Sequence, residues 1–148
     1  MIIFFNIKVN KIDLKIGFMS FMESNLYSKI NKIKFSKELP LLILDADEVL
    51  LYFAIPFSKF LKRNGWKLKL SDYRLDNAIF KKNSNLLASN KEYRELINKF
   101  IEEETHRQPE AEHASEELKK IDKIAQIVIL SNVPKNYENE RMINLKDK

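Results

Sequence analysis

The chain has 148 residues, 45% of them hydrophobic, with no cysteine and a formal net charge of +5. That is enough for one domain with a packed core, and it excludes a disordered tail, a disulfide framework and a thiolate metal site. The basic residues are mostly lysines spread along the chain, without an arginine cluster or an aromatic-basic stripe, which favours a solvated basic surface over a nucleic-acid footprint.

In chain order, the opening "MIIFFNIKVNKIDLKIGFM" loses its apolar character beyond Phe5, where Asn6, Lys8, Lys11, Asp13 and Lys15 interrupt it. Neither a signal peptide nor a membrane span is expected, and a reducing cytoplasm fits the absence of cysteine. Ile7/Val9 and Ile12/Leu14/Ile16 alternate as a weak hairpin would. Ser20 and Glu23 form a capping box ahead of Met22, Leu26, Ile30 and Ile33, whose spacing predicts a helix over 21–34. Residues 1–36 are expected to form an N-terminal extension outside the core, with Met19 or Met22 as an alternative start.

Pro40 precedes a predicted strand over 41–46, "LLILDA", and "IVIL" within 126–130 is a second. Neither alternates, so both are expected to be central parallel strands covered on both faces, joined by a crossover. Between them, Pro56 suits a first helical turn, Phe57, Phe60 and Leu61 make an apolar stripe, and Gly65 stands as a C-cap. Ser71 is expected to cap a short helix, and Asn90 a longer one that buries Tyr93, Leu96, Ile97, Phe100 and Ile101. "KKNSNLLASN" lies between them as a polar loop. Ala114, Leu118, Ile121 and Ala125 continue a helical stripe into the second strand, and "NYENERMINLK" predicts a helix after it.

The chemistry gathers where these strands end. Asp45 and Asp47 close the first strand, and Ser131 and Asn132 the second, where open α/β sheets bind their ligands. Two carboxylates one residue apart on an extended segment lie on the same side, about 7 Å apart at their backbones, and can approach one hard cation such as Mg²⁺. A carboxylate can also attack phosphorus while a second protonates the leaving oxygen, and a hydroxyl with neighbouring amides suits phosphate oxygens. Glu103, His106, Glu110 and His113 have metal-like spacing, but Pro109 breaks their helix and the surroundings are acidic, so they read as a solvated face.

"LLILDADEVL" followed by "IVILSN" resembles the haloacid dehalogenase-like hydrolase superfamily. The resemblance implies a partial Rossmann-like α/β parallel sheet over residues 37–148, with a helical cap inserted at about 51–112. It implies Asp45 as nucleophile, Asp47 as acid/base, both with Mg²⁺, and Ser131 and Asn132 at the phosphate of a small phosphorylated substrate. Glu48-Val49 stands where the family often has Gly-Thr, and the third-motif Lys and fourth-motif acidic residues are not matched. The expectation is therefore a phosphatase-type hydrolase acting through an aspartyl phosphate, truncated and weakly active, whose partner would be a downstream-encoded C-terminal fragment. The alternatives are a non-catalytic remnant of a split or decayed hydrolase gene, or a basic polyanion-binding module.

Overall fold

The computed structural model describes residues 2–5, 35–71 and 74–146, so the expected hairpin within 7–16 and helix over 21–34 lie outside the described residues. The fold is α/β, built on a small parallel sheet. Strand β1 (Ile2–Phe5) and strand β2 (Leu41–Asp45) both pair in parallel with β5 (Gln126–Ser131), which lies between them. The remaining elements are α1 (Ala54–Arg63), β3 (Trp66–Leu68), β4 (Ile79–Lys81), α2 (Asn90–Glu104), α3 (Ala114–Ile121) and α4 (Glu138–Lys146). Among the described residues no helix is long and apolar enough to cross a membrane.

Two of these strands differ from expectation. Ile2–Phe5 belongs to the sheet, whereas residues 1–36 are expected outside it; the short run "IIFF" is itself a good parallel-strand sequence, independent of the polar residues that follow. Strand β2 is not covered on both faces among the described residues: Leu41 and Ile43 are 44% and 54% exposed, while Leu44 packs inward. Strand β5, in the middle, buries Ile127, Val128 and Ile129 as predicted.

Two separate apolar clusters organise the rest. One face of β2 and β5 presents Leu44, Ile127 and Ile129 to Ala46, Leu50, Leu51 and Leu145, with Ala114, Leu118 and Ile121 of α3 packed against them. The second cluster lies wholly within residues 53–101 and joins Phe57, Phe60 and Leu61 of α1 to Leu96 and Phe100 of α2. Phe100 makes edge-to-face contacts with Phe53, Phe57 and Phe60 at centroid distances of 5.2, 5.0 and 5.5 Å. Contacts of this geometry add about 0.5–1.5 kcal/mol each to the burial of the rings.

Local signals explain most boundaries. Gly65, at φ +80°, turns the chain out of α1, a conformation that glycine adopts without strain. Ser89, rather than Asn90, caps α2, because Glu92 three residues on completes a capping box with it. No helix occurs in 74–89, where Ser71 is expected to start one; β3 and β4 pair there as an antiparallel hairpin, so the insertion is mixed rather than wholly helical. Trp66 and Leu68 alternate toward the cluster with Lys67 and Lys69 outward, a two-residue period too short to predict a strand from the sequence.

The chain leaves and re-enters the sheet layer at paired positions. Tyr52 N–H donates to Pro109 O and Ala111 N–H to Leu50 O, both at 2.9 Å, so the two linkers of the insertion run against each other. Ahead of them, residues 46–51 form a tight turn in which Leu50 and Leu51 N–H both reach Ala46 O, with Glu48 at φ +59°. An L-residue there costs about 1–2 kcal/mol. Glu48 offsets this by capping α1 from a distance: its Oε1 accepts from Phe53 and Ala54 N–H at 2.7 and 2.6 Å. Glu48→Ala should therefore lower stability in urea unfolding by about 1 kcal/mol through the lost cap. Glu48→Gly should cost less, because it also removes the backbone strain; a larger loss for glycine would show that φ +59° is not what this position must supply.

Candidate functional site

Asp45 is the last residue of β2 and is exposed, with Oδ1 accepting from Ala46 N–H at 2.7 Å. Asp47 lies two residues on, inside the turn, and its side chain is only 28% exposed. Arg141 of α4, 2% exposed, places Nη1 3.1 Å from Asp47 Oδ1. Gln108 Nε2 donates to the same oxygen at 3.4 Å and to Tyr52 O at 3.2 Å. The carboxylate thus meets a guanidinium from the sheet layer and an amide from the end of the insertion.

Burial raises the Asp47 pKa above 3.8, and the nearby Asp45 charge adds to the rise; Arg141 and the Gln108 hydrogen bond oppose it without cancelling it. Arg141 is not fully spent by Asp47. Its Nε and Nη1 have no aligned hydrogen-bond acceptor, and Thr105 Oγ1, Gln108 Oε1 and Asn144 Oδ1 are likewise unpartnered among the described residues. Asn144 Nδ2 donates to Thr105 O at 2.8 Å and to Gln108 O at 3.3 Å, which docks α4 on the 3₁₀ turn of residues 105–107. Nearby, Glu104 is held below its ordinary pKa: burial would raise it, but hydrogen bonds from Arg107 and Arg63 outweigh burial.

Ser131 ends β5, is 3% exposed and has an Oγ without a partner among the described residues, while Asn132 is exposed. The sheet brings Asp45 and Ser131 to one edge but not to one face. Asp45 is in register with Leu130, and Ser131 follows Ile127 and Ile129 on the side of the buried cluster. Side chains alternate along a strand, so a shift of one residue in this pairing would put Asp45 and Ser131 on the same side.

Among the described residues no group of three or more His, Cys, Asp or Glu side chains is placed to hold a metal ion. The sequence Glu103, His106, Glu110 and His113 does not lie on one helix: α2 stops at Glu104, residues 105–107 are 3₁₀, and His113 has φ +62°. Trp66, Phe57 and Phe60 pack the second cluster, and Tyr73 lies outside the described residues. An open depression of about 430 Å³ is lined by Ala54, Ile55, Ser58, Lys59, Leu68 and Leu70, and none of the four candidate residues borders it.

The sequence reading missed Arg141 and Gln108. Arg141 precedes Asn144 and Leu145 by three and four positions, a spacing that marks one helix face, and all three are buried. Gln108 gives no such signal, since its place is set by the paired linkers. The chain was compared with protein-family models, curated proteins and solved structures, and nothing matches it.

Removing Arg141 leaves the half-buried Asp47 without its cation. Arg141→Leu should destabilise the protein by about 3–5 kcal/mol near neutral pH. Because the folded pKa of Asp47 is raised, protonation favours the fold: its contribution is fully present below 3.8 and is lost as the pH rises through the folded value. The deficit of Arg141→Leu should accordingly shrink in acid, and adding Asp47→Asn should recover part of it at neutral pH. A deficit that is independent of pH, and unchanged in the double variant, would mean that the pair is not coupled.

Proposed function

We propose that the chain is a slow phosphatase-type hydrolase of the haloacid dehalogenase-like class acting on a small phosphorylated substrate. The observation that carries this reading is the parallel pairing of β2 with β5, with Asp45 and Ser131–Asn132 at the same C-terminal edge and an insertion with paired linkers between them. Asp45, exposed, has an open oxygen for attack on phosphorus. As its Oδ–P bond forms, the ester P–O bond breaks and the leaving oxygen takes the proton of Asp47. Burial, which raises the Asp47 pKa against the pull of Arg141, acts in the direction that a general acid needs. Water then attacks the aspartyl phosphate, returning its proton to Asp47 and releasing Asp45. Asn132, exposed at the end of β5, would orient the phosphate oxygens, whereas Ser131 lies buried on the opposite face of the sheet.

The Asp45 carboxylate and the backbone oxygen of Asp47 suit Mg²⁺, which when bound would offset the repulsion between nucleophile and phosphate. Arg141 and Gln108 hold the Asp47 carboxylate, which supports slow proton transfer and a slow reaction. Glu48 at φ +59° also fits the family turn, where glycine often stands. A second reading, a non-catalytic remnant, is favoured by one observation: the register that sets Asp45 and Ser131 on opposite faces of the sheet.

Hydrolysis of an aryl phosphate by the purified chain, with and without Mg²⁺, separates the two. The hydrolase reading expects Mg²⁺-dependent turnover well below the roughly 1–10³ s⁻¹ of ordinary enzymes, abolished by Asp45→Asn. Absence of turnover over a broad panel of phosphate esters, or turnover that survives Asp45→Asn, would reject it.

A further inference from the structure

The net charge of the chain is not evenly distributed. Residues 53–101 carry eleven Lys and Arg against four Asp and Glu, whereas the rest of the chain carries fifteen against seventeen. Within that segment, Arg63, Arg74, Lys81, Lys91 and Lys99 each meet a carboxylate. Lys67, Lys69 and Lys82 have no carboxylate partner among the described residues, and the β3–β4 hairpin brings them together.

Lys67 pairs in register with Phe80, and Phe80 bridges to Leu87, so these three side chains form a row across the outer face of the hairpin. Lys69 stands two residues along from Lys67 on the same face, with Nζ 5.3 Å from the Phe80 ring centroid. Asn85 Oδ1 accepts from Lys67 Nζ at 3.1 Å and from Lys69 Nζ at 3.3 Å, drawing two ammonium groups onto one amide oxygen. Lys67 Nζ also reaches Lys82 O at 3.4 Å. Like charges held this close raise the local positive potential, and an anion placed there would relieve their repulsion. Leu87, 44% exposed beside Phe80, adds apolar surface to the basic rim.

We propose that this hairpin face binds single-stranded nucleic acid. The lysines take the phosphodiester backbone and Phe80 offers a ring on which a base stacks, displacing the Lys69 ammonium toward a phosphate. Charge and an aromatic face together fit a single strand better than a duplex, whose bases are already stacked. This surface involves none of Asp45, Asp47, Ser131 or Asn132, so it stands or falls independently of the hydrolase reading.

The test is fluorescence anisotropy of the full chain with labelled oligouridylate or oligothymidylate of about twenty nucleotides, over a range of salt concentrations. Binding should weaken as salt rises. Replacing Lys67, Lys69 and Lys82 together by Gln should cut affinity at low salt by about tenfold or more and reduce the log–log salt slope by about two, at about 0.7 per phosphate contact. The same charge removal at Lys119, Lys123 and Lys135, which are exposed elsewhere, should leave most of the binding, with unchanged circular dichroism in both variants. Phe80→Leu should weaken binding with little change in the salt slope. No binding to either oligonucleotide, equal losses in the two triple variants, or binding to phosphatidylserine vesicles in place of the oligonucleotides would overturn the proposal.

Discussion

A half-buried carboxylate, Asp47, and a buried guanidinium, Arg141, hold the helix that follows the sheet against the turn that leaves it. Asp47 comes from the turn after β2 and Arg141 from the helix after β5, while Gln108, at the end of the insertion, donates to the same Asp47 oxygen. Burying either charge alone is costly, so each constrains where the other can sit. The position of α4 against the 3₁₀ turn at 105–107, and with it the return of the chain from the insertion, follows from satisfying this pair and the amides around it. The same pair governs the candidate chemistry, because it decides how much of Asp47 is left for a proton.

The insertion is held on two counts. Its own aromatic cluster, centred on Phe100, stabilises it internally, and its linkers are joined by two backbone hydrogen bonds between 50–52 and 109–111. Two short paired linkers fix where the insertion attaches, and the clusters on either side contain different residues. Glu48 bridges this junction, since its backbone closes the turn and its carboxylate caps the first helix of the insertion. A change at the Asp47 turn would therefore be felt at α1 through the adjacent residue.

What could be read from the sequence was what depends on short-range pattern. The parallel pair, the α1 and α2 stripes, the Gly65 stop and the helix after β5 all rest on apolar periodicity or on cap residues within a few positions. The β3–β4 hairpin was lost because three-residue strands show too little alternation to separate from a helical turn. The third strand was missed because polar residues from Asn6 onward obscured the four apolar residues before them. The candidate site was legible as a set of strand ends and not as geometry. Which face Asp45 shares depends on a register of one residue, and the approach of Arg141 to Asp47 spans 94 positions that no local pattern encodes.

The account rests on Asp47 being a half-buried carboxylate balanced by Arg141, and the most direct measurement is its own titration. Carbon NMR of the Asp47 carboxyl in the intact protein should give a midpoint above the ordinary 3.8, as burial outweighs the guanidinium, and Arg141→Leu should move it higher still. A midpoint at or below 3.8, or one that does not respond to the loss of Arg141, would contradict the account.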